Sequence, residues 1–161
     1  MGCSSFGTTG IQFFSKLIMP LFYDKKFLRG RWFEESSLGW TWCWRNLWMQ
    51  KVKGINRDIP FPVFFRNEVS SAENLVFDPD DMNDFNAFGC YFQNFAAKIV
   101  IGKGSYIAPN VGLVTANHVL TDLEQHQPGK DIVLGKNCWI GMNSTVLPGV
   151  VSVSYTHLRA H

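Results

Sequence analysis

Four histidines, four cysteines, a run of carboxylates and six tryptophans are the residues with chemistry to offer in this 161-residue chain. His118 closes the stretch Thr115-Ala116-Asn117-His118, and His126 follows in the same polar segment. Imidazole can accept a proton near neutral pH without much tuning, so a loop histidine is a candidate for acid or base work, although a lone one is normally a solvated bystander. A zinc centre of the three-histidine kind is not expected, because only His118 and His126 precede residue 152. Cys3, Cys43, Cys90 and Cys138 form no CxxC pair and read as reduced thiols of a cytosolic protein. Asp78-Pro79-Asp80-Asp81 lacks the ligand spacing of a cation loop and reads as a solvated turn. Gly129 to Gly135, with Asn137 after Lys136, departs from the phosphate-loop pattern, so no nucleotide triphosphatase is implied.

The elements that position His118 follow from an internal repeat. Apolar residues fall at Phe95, Ile101, Ile107 and Leu113, then at Leu134, Ile140 and Val146, six apart within each run. The next position is small in most units (Ala96, Gly102, Ala108, Gly135, Gly141), and Ser105, Val111, Cys138, Ser144 and Val150 stand at the fifth. Neither a helix nor a half-buried strand has this period; a short strand and a turn, stacked coil on coil, does. The gap from Leu113 to Leu134 is three residues more than three whole units, which makes residues 115–131 a loop leaving the stack. Composition sets the frame: 46% hydrophobic and 17% charged residues with a net charge of +2 give one folded domain with an appendage, and no charge footprint for nucleic acid.

Ile101-Gly102-Lys103-Gly104-Ser105-Tyr106-Ile107-Ala108-Pro109-Asn110, and Cys138-Trp139-Ile140-Gly141 through Val146-Leu147-Pro148-Gly149-Val150, resemble the hexapeptide-repeat acyltransferases. The nearest likeness is to the maltose, galactoside and polysaccharide O-acetyltransferases, over roughly Phe95 to Val151. The resemblance implies a left-handed parallel β-helix, an all-β catalytic domain over 86–151 with loop 115–131, behind a partly helical N-terminal region over 1–85. It implies transfer of an acetyl group from acetyl-CoA to a sugar hydroxyl, with His118 as base and no metal required. The Phe88–Phe95 segment and the aromatic leader favour exopolysaccharide, capsule or O-antigen decoration in a bacterium. The backbone N–H of Met142, where relatives often carry Ser, is the implied oxyanion donor. Trp139, Gly141 and Ser144 fall to acetyl-CoA, and Asn86, Gln93, Asn94 and Asn117 to the saccharide acceptor. A homotrimer is implied, the donor lying between neighbouring chains. N-acylation of an amino-sugar nucleotide is the alternative reaction, and an inactive trimeric scaffold the non-enzymatic one. Serine acetyltransferases carry a long helical domain that this leader does not match.

The N-terminal region has its own pattern. Lys16 to Arg57 holds nine basic and three acidic residues, and Asp58 to Asn94 one basic and seven acidic. Trp40, Trp44 and Trp48 recur at helical spacing, with Ser37 placed to cap that helix and Gly54 to end it. Such a face either packs on the protein or, in a cytoplasmic enzyme, touches the inner membrane surface through residues 16–57. No apolar run is long enough to span a bilayer, and Phe6 stands where a myristoylation signal after Met1-Gly2-Cys3 wants Ser or Thr. The repeat is expected to stop at Val151. Residues 153–161 back-translate to a transposon-end sequencing adapter, so 152–161 read as an artefact and His157 and His161 are not ligands.

Overall fold

The computed structural model describes residues 6–159; Cys3, His161 and the Met1-Gly2-Cys3 opening lie outside that range. Three helices lead the chain: α1 (Phe6–Ile18), a single turn α2 (Arg31–Glu34) and α3 (Leu38–Leu47), the last running into a wider π turn over Trp48–Val52. Short strands follow: β1 (Glu68–Val69), β2 (Leu75–Val76), β3 (Tyr91–Gln93), β4 (Ile99–Ile101), β5 (Tyr106–Ile107), β6 (Gly112–Val114), β7 (His118–Val119), β8 (Asp122–His126), β9 (Ile132–Leu134), β10 (Trp139–Ile140), β11 (Thr145–Val146), β12 (Val151–Ser152) and β13 (His157–Leu158). The chain as a whole is thus a mixed helical and parallel-strand protein, not an all-β one.

All the strand pairs except β7–β8 are parallel, and they form three sheets: β1-β3-β6-β11, β2-β4-β9-β12 and β5-β10-β13. From β3 onward the chain visits the three in rotation, and in the first circuit the Pro79–Phe85 segment stands in for a strand of the third, so the circuits stack as in a β-helix. Inward residues line up across coils: Phe92 on Leu113 on Val146, Ile101 on Leu134 on Ser152, Ile107 on Ile140 on Leu158. Burying each aliphatic or aromatic member contributes about 1.5–3 kcal/mol, so the repeat is what holds the prism together. The small residue after each inward one has a steric cause: a Cβ on Gly102 would run into the backbone of Gly135 in the next coil.

The repeat departs from the sequence reading at three places. Phe92, fully buried, is the inward residue of its strand, and Phe95 stands outside, about half exposed, because the turn between β3 and β4 holds three extra residues. Leu113 and Leu134 belong to adjacent sides of one coil, so their 21-position separation is one six-residue step plus a fifteen-residue excursion, not three units and a remainder. The coil also runs past Val151: Ser152 occupies the inward place of an aliphatic residue, and β13 pairs with β10. The parallel sheets start before residue 86, since β1 and β2 already pair with β3 and β4.

Asp78–Asp81 is not the solvated turn its composition suggests. It opens a 3₁₀ segment, Pro79–Phe85, that lies over the free edge of β5: Asp81 accepts from the Gly104 amide at 2.9 Å and Asp84 from the Ile107 amide at 3.1 Å. Two buried carboxylates thus take the place a further strand would fill. Asp80 binds the Arg31 amide and the Lys103 ammonium, which ties the basic leader to the acidic segment. Burial holds the Asp81 carboxyl above its usual range and Asp84 well above it. At the edge of β1 the side chain of Asn56 acts likewise, accepting from Val69 N and donating to Asn67 O.

The helices pack through aromatics and one polar hub. Gln50, buried, donates to the carbonyls of Asn56, Ile59 and Phe61 and accepts from Val63 N and Tyr23 Oη, fixing the segment that Pro60 and Pro62 keep extended. Phe61, Phe77, Phe85 and Phe92 join this region to the first coils, ring centroids 4.5–5.0 Å apart. The tryptophan face does not act as one surface: Trp40 is buried with its indole N–H on Phe33 O, whereas Trp44 and Trp48 are exposed. Ser37 occupies the cap position of α3 without a side-chain bond, the Leu38 amide going to Ser36 Oγ, and Gly54, at φ +89°, follows the last helical turn.

Candidate active site

Residues 115–131 leave the prism between β6 and β9 as a two-stranded hairpin, β7 antiparallel to β8, with His118 opposite His126. Its root is fastened to the coil below. The Gln93 carboxamide accepts from Thr115 N (3.0 Å) and Ala116 N (3.1 Å) and donates to Ala116 O (3.2 Å), and Thr115 Oγ1 donates to Gln93 O at 2.8 Å. On the returning side Lys130 N donates to Thr115 O, Gln127 N to Asn117 O, and Gly129 passes so close over Ala96 that a Cβ there would sit 2.7 Å from Ala96 O.

His118 is exposed, and its ring is held at two points. Nδ1 lies 2.6 Å from Leu123 O. A carbonyl can only accept, so Nδ1 donates this bond, and in the neutral ring Nε2 is the remaining acceptor. The His126 ring packs on it at a centroid distance of 4.3 Å, and Phe95 meets His126 edge-on at 5.6 Å. His126 and Phe95 are thus neighbours of His118. Sequence reading missed this because cross-strand register in an exposed hairpin leaves no periodic trace, and because Phe95 fits the apolar six-residue phase equally well.

The other predicted residues are distributed. Trp139, Gly141 and Met142 line one hollow of about 260 Å³ together with Arg159, in the turn between the third and first sheets, whereas the hairpin leaves between the first and second. One chain therefore does not bring His118 and Met142 to the same corner. The amides of Gly141, Asn143 and Ser144 donate to Leu158, Pro109 and Gly141 carbonyls; that of Met142 has no such partner among the described residues. Ser144 is buried, its Oγ unpartnered, beside the hollow at the last coil. Asn117 is exposed next to His118. Asn94 is fully buried and clasps Ser71 through both N–H and C=O. Asn86 is engaged by Arg45 and Asn46 and donates to Pro62 and Met82 carbonyls, among the helices rather than beside the hairpin. A hollow of about 640 Å³ lined by Gly54–Ile59 and Phe65–Ser70 contains none of these residues. No group of three or more metal-ligating side chains occurs among the described residues.

Comparison with known proteins agrees with acetyl transfer at the level of names. The chain is 39% identical over 71 residues, 42% of its length and 37% of the relative's, to a protein of Dictyostelium discoideum named as an acetyltransferase. It is 33% identical over 95 residues, half of this chain and 48% of the relative, to another so named in Saccharomyces cerevisiae. Over 67 residues it is 40% identical to Nodulation protein L of Rhizobium meliloti, covering 39% of this chain and 36% of that protein. The chain spans less than half the length of each of these relatives. No family model matches it, and no solved structure matches it significantly. These likenesses support an acetyltransferase family.

Proposed function

We propose that the chain is the β-helical part of an acetyl-CoA-dependent O-acetyltransferase acting on a saccharide hydroxyl, with His118 as general base. The observation that carries this reading is the bond from His118 Nδ1 to Leu123 O, which leaves Nε2 free on an exposed hairpin. In the proposed reaction the acceptor O–H gives its proton to Nε2 as its oxygen forms a bond to the thioester carbonyl carbon. The resulting oxyanion accepts from the Met142 amide, and collapse breaks the C–S bond, the proton passing to the leaving CoA thiolate. No metal is required for these steps. Trp139 and Gly141 wall the donor channel, Ser144 lies behind it, and Asn117 meets the acceptor.

The separation of His118 and Met142 on one chain favours a homotrimer in which neighbouring prisms complete each other's site. Leu120 at the tip of the hairpin is 92% exposed and Leu123 is exposed beside it, which suits a hairpin that packs on a second chain. The reading includes a left hand for the stacked coils, which start with β1 and β2 rather than at residue 86, an adapter-derived sequence over 152–161 that nonetheless continues the coil, and a bacterial cytoplasmic enzyme of exopolysaccharide, capsule or O-antigen synthesis. Gln93, Asn94 and Asn86, assigned to the acceptor from sequence, act in this reading as supports of the surrounding backbone.

The test is transfer of labelled acetyl from acetyl-CoA to a saccharide panel by the uninterrupted parent protein and by its His118→Ala variant. Turnover lost with an unchanged circular dichroism spectrum is expected; a variant that keeps most of the parent rate overturns the assignment. Base treatment before mass spectrometry separates an ester, which is lost, from the amide that an N-acyltransferase would make. A parent without turnover on any acceptor favours the inactive scaffold.

A further inference from the structure

Over its last turns, Phe13 onward, helix α1 turns large apolar side chains outward. Ser15 is fully buried and accepts the Trp44 indole N–H at 2.9 Å, while Phe13, Leu17 and Leu21, four positions apart, are 76%, 67% and 75% exposed. The row continues sideways: Phe14 stacks on Trp44, planes 3° apart, and Trp48 stands one turn further along the same side of the chain. An amphipathic helix on a water-facing surface puts its apolar stripe inward. Here the sequence spends its large apolar side chains on the outside, which marks a surface made for an apolar partner.

We propose that this face docks on an anionic lipid bilayer. Charge selects that occupant. The segment from Lys16 to Arg57 carries nine basic and three acidic residues, with Lys16 on α1 itself, Lys25 and Lys26 soon after it, and Lys51 and Lys53 beyond Trp48. Lys51 donates to the Arg57 and Ile59 carbonyls and Lys26 pairs with Asp24, so exposed Lys16, Lys25 and Lys53 are the cations that would meet a headgroup layer of opposite sign above an acyl interior. A second copy seated on the same face would bring two such segments together, and like charges oppose that. Thirteen residues of helix reach about 20 Å, too short to cross the hydrocarbon layer, so α1 lies in the plane of the interface. No helix among the described residues is long and apolar enough to span a membrane. The surface shares Trp44 and Trp48 with the tryptophan row legible in the sequence but not buried Trp40, and its outermost side chains are those of α1 and the turn after it.

Flotation of the full chain with vesicles of phosphatidylcholine, or of phosphatidylcholine with a quarter phosphatidylglycerol, at low and high salt tests this without any activity assay. The expected result is flotation with the anionic vesicles at low salt, weakened by salt and by neutral lipid. The Phe13→Ser/Leu17→Ser double variant, altered only at exposed positions, is expected to partition roughly tenfold more weakly with its circular dichroism unchanged. A parent that does not float with anionic vesicles at low salt, or a double variant that floats equally well, overturns the proposal. A double variant whose solution mass falls while neither form binds vesicles assigns the face to a second copy and overturns it as well. His118→Ala is expected to float like the parent, which separates this surface from the catalytic reading.

Discussion

Gln93 was legible in the sequence as a saccharide contact, yet its side chain is spent on the root of the hairpin. Replacing it by Leu keeps most of its volume and removes three bonds. Thr115 N keeps the Gln93 carbonyl at 3.0 Å, but the Ala116 amide, at a residue only 2% exposed, loses its acceptor and Ala116 O loses its donor. A buried amide left unsatisfied costs about 1–3 kcal/mol, so Gln93→Leu is expected to lower unfolding stability by about 2 kcal/mol. That is a large share of a typical margin, though the domain still folds. Urea unfolding should show a lower midpoint with an unchanged slope, and hydrogen exchange at Ala116 should accelerate while that of buried Ile140 in β10 changes little beyond the global loss. If the midpoint moves by less than the equivalent of about 0.5 kcal/mol and Ala116 exchange is unaltered, the clamp is not what holds the hairpin. A stable variant with a raised KM for the acceptor alone would return Gln93 to the saccharide.

Two further outcomes follow from the same geometry. Gly129→Ala brings a Cβ to 2.7 Å from Ala96 O and 2.8 Å from Ala96 Cβ, so the hairpin must lift; a loss of about 1–3 kcal/mol by urea unfolding and slower acetyl transfer are expected, and parent-like values for both would show that the hairpin yields freely. Because burial raises the Asp84 carboxyl, the folded state retains a proton that the unfolded chain releases, and stability falls as pH rises above the ordinary carboxylate value of about 4 towards the folded value. Asp84→Asn cannot ionise, so its urea midpoint should decline less steeply from pH 4 upwards; identical slopes would refute the buried ionisation.

The stacked coils were readable because one constraint repeats: an inward apolar residue at a fixed step, with a small neighbour where Gly102 meets Gly135. Where the chain adds residues the constraint loses its phase. Phe92 and Phe95 are both aromatic and three apart, and nothing local says that the first turns inward and the second meets His126. Likewise the spacing of Trp40, Trp44 and Trp48 announced a helix, but which of them is buried depends on Phe33 and on Ser15 of α1, far away in sequence. His118 stood out by its motif, whereas Leu123 O, which selects its tautomer, is a backbone atom that side-chain types do not announce. Asp81 read as part of a solvated turn because its partner, the Gly104 amide, comes from another coil, and no signal in the sequence singled out Asp84, which the Ile107 amide binds likewise.

Side-chain bonds stand in for a neighbouring strand at the outer edges of β1 and β5, where Asn56, Asp81 and Asp84 occupy backbone groups. Each coil above that edge adds about 4.8 Å to the stack for 18 residues of chain. The hairpin leaves two coils from the capped edge, so Gln93, which holds its root, belongs to a strand already paired on both sides. The footing of the hairpin is thereby insulated from fraying at that edge.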